Sequence, residues 1–238
     1  LASLHIQVMQ LAEIFLAYHT IRSSTTDTPH ILLMDLSPSS LLASTAQAQQ
    51  KIGLVGYPYG ARTLTPADVT VAAAHPLSDY LAIPSPKKMD LYRVLVAELR
   101  RAPEQVLDIL ALARRYGLEV EALERAASFL VDRGVLEPVR EGRHRYRPLV
   151  RVRDSWTYVR DLFCDLCSHL FLAKEPGALQ YEVVDENGLR HRRWMGPEEL
   201  NFLLGVGLRV LIEACWERGI LFYGLAKDST SRYLTRNF

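Results

Sequence analysis

Apolar residues recur at helical spacing from Leu4 to Arg22, at Leu4, Val8, Leu11, Phe15 and Tyr18, with Ile14 and Ile21 beside them. The pattern predicts an amphipathic helix of about five turns. A polar stretch, Ser23 to Pro29, leads into "HILLMD" at 30–35, a short continuous apolar run of the kind expected for a strand buried on both faces. "LSPSS" ends that run, with Pro38 as punctuation. Leu41 to Ile52 has helical spacing and "GYPYG" reads as a turn, whereas "DVTVAAAHPLSDYLAIPSP" carries mixed signals from which no element follows.

Residues 90–150 read as a module of their own. "DLYRVLVAELRR" is amphipathic. "PEQVLDILALARRYGL" places Pro103 in a first helical turn and Gly117 at a C-cap, and "EVEALERAASFLVDRG" is a third helix closed by Gly134. "VLEPVREGRHRYRPLV" follows as a two-stranded ribbon turning at "REGR". Three helices and a hairpin wing form a winged-helix arrangement, a variant of helix-turn-helix.

Beyond the module, 154–173 is helical, and "LQYEVVDENGLRHRRWM" holds the hairpin signal Asn187-Gly188 between two strand-like arms. "GPEELNFLLGVGLRVLIEACWERG", from Gly196, is a long helix with an acidic first turn, and it runs directly into a strand over Ile220 to Leu225. The outer parts of the chain therefore read α/β, with a helical module between them. No internal repeat or low-complexity segment interrupts the pattern.

Composition narrows the class. In 238 residues, 49% hydrophobic and 23% charged, there is material for a substantial core. The net charge of +1 means that any nucleic-acid footprint must be local. Cys164, Cys167 and Cys215 do not make the disulfide framework of a secreted domain, and no apolar run has transmembrane length. The expectation is a reduced, soluble, cytoplasmic protein. The chain starts at Leu1 already inside an amphipathic pattern, as expected of part of a longer protein.

Four residues stand out for chemistry: Glu13 beside the apolar stripe of the first helix, Asp35 at the end of an apolar strand, and Lys227 and Asp228 in the loop after the last strand. An acid ending a buried strand is costly unless paired, hydrogen-bonded or bound to a metal. Asp35 either has such a role or caps the "SPSS" turn. Lys227 and Asp228 either form a solubilising turn or face a phosphate and a metal ion. Hard oxygen ligands from a helix and two strand ends suit Mg²⁺ or Mn²⁺. Cys164-x-x-Cys167 with His169 invites a zinc reading, but no second cysteine pair follows and the segment is helical, so buried thiols are expected. Basic patches occur in the wing (Arg140, Arg143, His144, Arg145, Arg147) and in the later hairpin (Arg190, His191, Arg192, Arg193). Glu119, Glu121 and Glu124 on the third helix would repel phosphates, which leaves non-specific nucleic-acid contact or protein docking for the module.

"MQLAEIFLAYHTI" followed by "ILLMDLSPSSLL", and much later "LIEACWERGILFYGLAKDSTSRYL", resembles the NurA nucleases, prokaryotic DNA-end-processing enzymes with an RNase H-like fold. In that family a Glu on a helix is followed roughly twenty residues on by an Asp on a strand; Glu13 and Asp35 are 22 apart on a helix and a strand in that order. Gly224-x-x-Lys227-Asp228-Ser229 matches a later strand of the family, where a lysine follows a glycine. The family's first-strand Asp motif has no counterpart here, and Leu36 stands where it has a glycine after the Asp.

The resemblance, over residues 5–45 and 199–236, implies an RNase H-like mixed sheet with flanking helices, split into parts 1–87 and 151–238 by a winged-helix-like insertion at 88–150. It implies a divalent-metal-dependent deoxyribonuclease with a two-metal site of Mn²⁺ or Mg²⁺. Glu13 and Asp35 would be ligands, Lys227 a phosphate stabiliser and Asp228 a further catalytic candidate. Arg143, Arg145, Arg147, Arg190, Arg192 and Arg193 would contact DNA. A HerA-type hexameric translocase as partner, a homodimer, and a place in DNA repair or antiviral defence are implied likewise. The reading from a different class is a non-catalytic adaptor that uses the winged-helix module to hold DNA or a partner.

Overall fold

A computed structural model describes residues 2–23, 31–35, 52–74, 91–140, 142–172 and 179–224. The first periodic stretch forms helix α1 (Ala2–Ser23), whose buried residues Leu11, Ile14, Phe15 and Ile21 lie on the anticipated stripe. It packs along α7 (Pro197–Glu217), the central helix of the molecule. Apolar residues surround almost the whole circumference of α7, and its buried residues run from Glu199 to Cys215. A helix apolar on all sides is buried on all sides. Gly207 is where neighbours come closest: a Cβ there would stand 2.6 Å from Phe163 Cζ and 3.0 Å from Ile14 Cγ2. Helix α6 (Val152–Leu172), which carries Phe163, completes this layer.

The chain is mixed α/β, and its strands form several small sheets among the described residues. Strand β1 (Ile31–Met34) pairs in parallel with β9 (Leu221–Gly224), with Ile31 opposite Leu221 and Met34 opposite Gly224. The expectation of a strand buried on both faces needs correction. Met34 is buried, but Ile31 and Leu33 are 54% and 62% exposed, as are Leu221 and Tyr223 at 52% and 51%. One face of the pair rests on the core; the other points outward.

"GYPYG" turns as expected, between β2 (Pro58–Tyr59) and β3 (Arg62–Thr63). Where the sequence signals were mixed, residues Pro66–Ala74 form helix α2. Thr65 caps it: its Oγ1 accepts from Asp68 N at 3.2 Å, while Asp68 Oδ2 accepts from Thr65 N at 3.2 Å. This is a reciprocal capping box with Pro66 as the first helical residue. Arg62 then donates both guanidinium nitrogens to the buried Asp68, at 2.7 and 3.1 Å. The expected helix over Leu41 to Ile52 falls outside the described residues up to 51, and Ile52 precedes a turn.

Residues 91–148 hold α3 (Tyr92–Arg101), β4 (Leu107–Asp108), α4 (Ile109–Tyr116), α5 (Val120–Asp132), β5 (Leu136–Pro138) and β6 (Arg145–Pro148). The strands form an antiparallel sheet in the order β4-β6-β5. The second helix starts at Ile109, not near Pro103. Leu107 and Asp108 are drawn into the sheet opposite Tyr146 and Arg145, and the Asp108 carboxylate caps the helix by accepting from Ala111 N at 3.0 Å. Gly117, at φ 63°, closes it as expected.

Two hydrophobic cores result. One joins α1, α6, α7, the inner face of β1 and strand β7 (Gln180–Val184), whose hairpin partner β8 (Arg190–Trp194) is exposed along its length. The other fills residues 92–136 and extends beyond the expected limits of the module to Val152 and to α2. Helix α2 serves both, with Val69, Ala72 and Ala73 in the first core and Ala67, Val71 and Ala74 in the second.

Glu199 fixes the start of α7. It accepts from Gly196 N at 2.8 Å, from Gly53 N at 2.7 Å and from the Tyr181 hydroxyl at 3.4 Å. Tyr181, desolvated and beside this carboxylate, has its phenol pushed well above its ordinary value. Glu199→Ala strands two backbone donors and should cost about 2 to 3 kcal/mol in urea denaturation. A loss below about 0.5 kcal/mol, the usual range of surface changes, would show that water replaces the carboxylate.

Candidate functional site at the ends of two parallel strands

Helices α1 and α7 finish side by side. Arg22 Nη1 lies 3.3 Å from Glu217 Oε2, and Arg218 Nη2 donates to the Arg22 carbonyl at 3.2 Å. Helix α7 closes with Gly219 at φ 66°: Gly219 N bonds Trp216 O at 3.1 Å and Ile220 N bonds Cys215 O at 2.8 Å. This paired closure is a Schellman motif, and it turns the chain into β9. Strands β1 and β9 then run in the same direction and end in register. Asp35 is the first residue past β1 and is exposed, and β9 ends at Gly224, directly opposite Met34. In open α/β sheets, ligands bind outside the carboxyl ends of strands.

Glu13 is on the outward face of α1, between exposed Met9 and Leu16. Lys227 and Asp228 lie outside the described residues. Among the described residues no group of three or more His, Cys, Asp or Glu side chains is placed to hold a metal ion. Glu13 and Asp35 are exposed carboxylates, so as donors they match Mg²⁺ or Mn²⁺ in kind.

The cysteines sit as core thiols. Cys167 is fully buried, and desolvation pushes it well above the ordinary thiol value. Cys164 is half-buried against Tyr18 and raised for the same reason, while His169 is exposed.

The wing folds back onto α5. His144, with φ at 67°, places Nδ1 2.6 Å from Glu124 Oε1, and the Tyr146 hydroxyl donates to Glu124 Oε2 at 2.6 Å. Desolvation, and then Glu124, push Tyr146 up to about 12. Glu124, expected to repel phosphates, is therefore engaged by the wing, whereas Glu119 and Glu121 remain exposed. Arg143 and Arg145 are exposed, and Arg147 pairs with Glu137.

The β7–β8 hairpin turns through Asp185, whose Oδ1 accepts from Asn187 N at 2.9 Å and Leu189 N at 2.8 Å. Of the Asn187-Gly188 pair, only Gly188 takes a positive φ, 79°. The connection is thus a three-residue loop rather than the two-residue turn this dipeptide often makes. Strand alternation separates the basic residues. Arg190 and Arg192 each stand 3.5 Å from Glu182, His191 Nε2 meets Asp185 Oδ2 at 2.8 Å, and Arg193 Nη1 donates to Gly53 O at 3.3 Å.

Two features escape the sequence reading. A groove of about 590 Å³ runs between α6 and the hairpin, lined by Tyr57, Asp165, His169, Gln180, Glu182 and Arg192 among others. Trp194 is 69% exposed, opposite Gln180 in the ladder. The alternation of "RHRRW" holds the signal for the second, since it puts Arg190, Arg192 and Trp194 on one face. No helix among the described residues is long and apolar enough to cross a membrane. Compared with protein-family descriptions, with curated proteins and with solved structures, the chain matches none.

Proposed function

We propose that this chain is the core of a divalent-metal-dependent DNA nuclease of NurA type, with an RNase H-like nuclease part and a winged-helix-like insertion. The observation that carries the reading is the parallel, in-register end of β1 and β9, whose strands lie almost two hundred residues apart in sequence. It sets Asp35 next to the strand end at Gly224, which supports the reading. Helix α7 packs against β9 and along α1. The second core, with three helices and a β4-β6-β5 sheet, supports the winged-helix-like insertion.

Glu13 and Asp35 would hold Mn²⁺ or Mg²⁺, which when bound activates water and neutralises the leaving oxygen of a phosphodiester. Lys227 would present a point cation to the phosphate, with Asp228 beside it. Arg143, Arg145 and Arg147 in the wing, and Arg190, Arg192 and Arg193 in the hairpin, would track the DNA backbone. A homodimer fed by a HerA-type translocase completes the reading.

Metal dependence tests it. End-labelled linear DNA incubated with the longest native reading frame should be degraded with Mn²⁺ or Mg²⁺ and stay intact in EDTA. The same reaction is run with any co-encoded hexameric translocase. No degradation under any of these conditions, with DNA still bound, would overturn the nuclease and leave the adaptor.

A further inference from the structure

The outer face of the β7–β8 hairpin carries Arg190, Arg192 and Trp194 on alternate residues of β8, with Glu182 and Gln180 opposite the last two. Alternate residues of a strand are spaced about 6.7 Å apart, close to the reach of one extended nucleotide. Arg190 and Arg192 share the single carboxylate of Glu182, each at 3.5 Å, and Arg192 and Glu182 also line the groove that Asp165 of α6 borders. Trp194, 69% exposed, is the most exposed large hydrophobic side chain among those described. His191 and Arg193 point to the other side, toward Asp185 and Gly53.

An exposed aromatic plane beside two guanidinium groups on one strand face has two ready uses, a base platform or a protein hot spot. Repeated arginines at nucleotide spacing favour the first. A base in a duplex offers no free face to such a plane, so the occupant is single-stranded. We propose that this face binds single-stranded nucleic acid, with a base stacked on Trp194 and the adjoining phosphates on Arg192 and Arg190. The inference deepens the DNA-binding side of the proposed function, and it requires no hydrolysis.

Intrinsic tryptophan emission reads it directly. Trp156 is buried and Trp216 is 42% exposed, so Trp194 is the most accessible of the three. The full chain is titrated in EDTA with a twenty-nucleotide oligo-dT and with a duplex of equal length. The single strand should quench emission and bind at least about ten times more tightly than the duplex. Trp194→Ala should weaken binding about 10- to 100-fold and remove most of the quench, while Trp216→Phe keeps both. Arg192→Ala should weaken binding and flatten its salt dependence.

Equal or tighter duplex binding, or quenching unchanged in Trp194→Ala, would overturn the proposal. So would no binding combined with Trp194 emission that shifts with protein concentration, which assigns the face to protein contact. Because binding is read in EDTA, failure here leaves metal-dependent hydrolysis standing. Failure of hydrolysis leaves this binding intact.

Discussion

If the chain is the proposed nuclease, Asp35→Ala should lower its metal-dependent DNA hydrolysis by about a thousandfold while leaving the melting temperature nearly unchanged. The two halves of that result come from the same geometry. Asp35 is exposed, one residue beyond the end of β1, so truncating it removes no core packing and should change stability by under about 0.5 kcal/mol. A carboxylate that holds a metal ion supports several kcal/mol of charge stabilisation in the reaction, and about 4 kcal/mol corresponds to three decades in rate. The competing role, capping the turn that follows the strand, gives the opposite signature. Loss of a cap costs about 1 kcal/mol of stability and leaves the rate alone. Initial rates on end-labelled DNA, set beside thermal melts of both proteins, separate the two. A full-rate Asp35→Ala protein would remove Asp35 from the site, and a parallel Glu13→Ala protein reports whether the α1 carboxylate acts with it.

What the sequence made legible follows the range of the forces involved. Helices α1, α3, α5, α6 and α7 show in the periodicity because one face or all faces meet apolar neighbours, which is a local signal. The β7–β8 hairpin and the wing show because glycines mark their turns. Helix α2 was missed although "TPAD" holds its entire start: Thr65, Pro66 and Asp68 make the cap, and only the mixed signals after it hid the helix. The start of α4 was misplaced because Pro103 is a plausible first-turn residue. What overrides it is pairing of Leu107 and Asp108 with β6, some 38 residues away. The outward face of β1 was misjudged because an apolar run states hydrophobicity but not how many faces are covered.

The candidate site divides in the same way. Asp35, Glu13, Lys227 and Asp228 were readable as residue types in an order, but the β1–β9 register that sets Asp35 beside the strand end at Gly224 is a tertiary fact. Trp194 was readable only once β8 was known to alternate, because a tryptophan after three arginines has no assigned face until the strand exists.

The module at 88–150 was readable, but the reach of its core into α2 was not, because one short helix belongs to both halves, and that leads to the largest stability effect expected. Arg209→Ala should destabilise the protein by about 3 to 5 kcal/mol. Arg209 is 3% exposed in the middle of α7 and donates to Gly205 O at 3.0 Å and to Ala73 O at 3.1 Å. Ala73 lies in the last turn of α2, the helix whose two faces serve the two cores. One turn along α7, Glu213 Oε2 accepts from Trp156 Nε1 at 2.9 Å, which ties α6 to the same region.

Desolvation lowers Arg209 from the ordinary guanidinium value to about 10, and nearby Arg93 adds to it against Tyr92 and Glu213. The side chain is therefore still a cation at neutral pH. Its burial cost is constant there; from about pH 10 up to the ordinary guanidinium value the unfolded chain holds the extra proton, so this group's contribution to stability rises with pH. Alanine leaves a cavity and an unpaired carbonyl. Methionine fills the space and abolishes the buried charge, so Arg209→Met should lose less than half as much. Urea denaturation followed by far-ultraviolet dichroism checks both. The alanine protein should also unfold over a broader range, because α2 no longer locks the cores together. A loss within about 1 kcal/mol and an unchanged slope would mean that apolar packing of α2, rather than Arg209, joins the two halves.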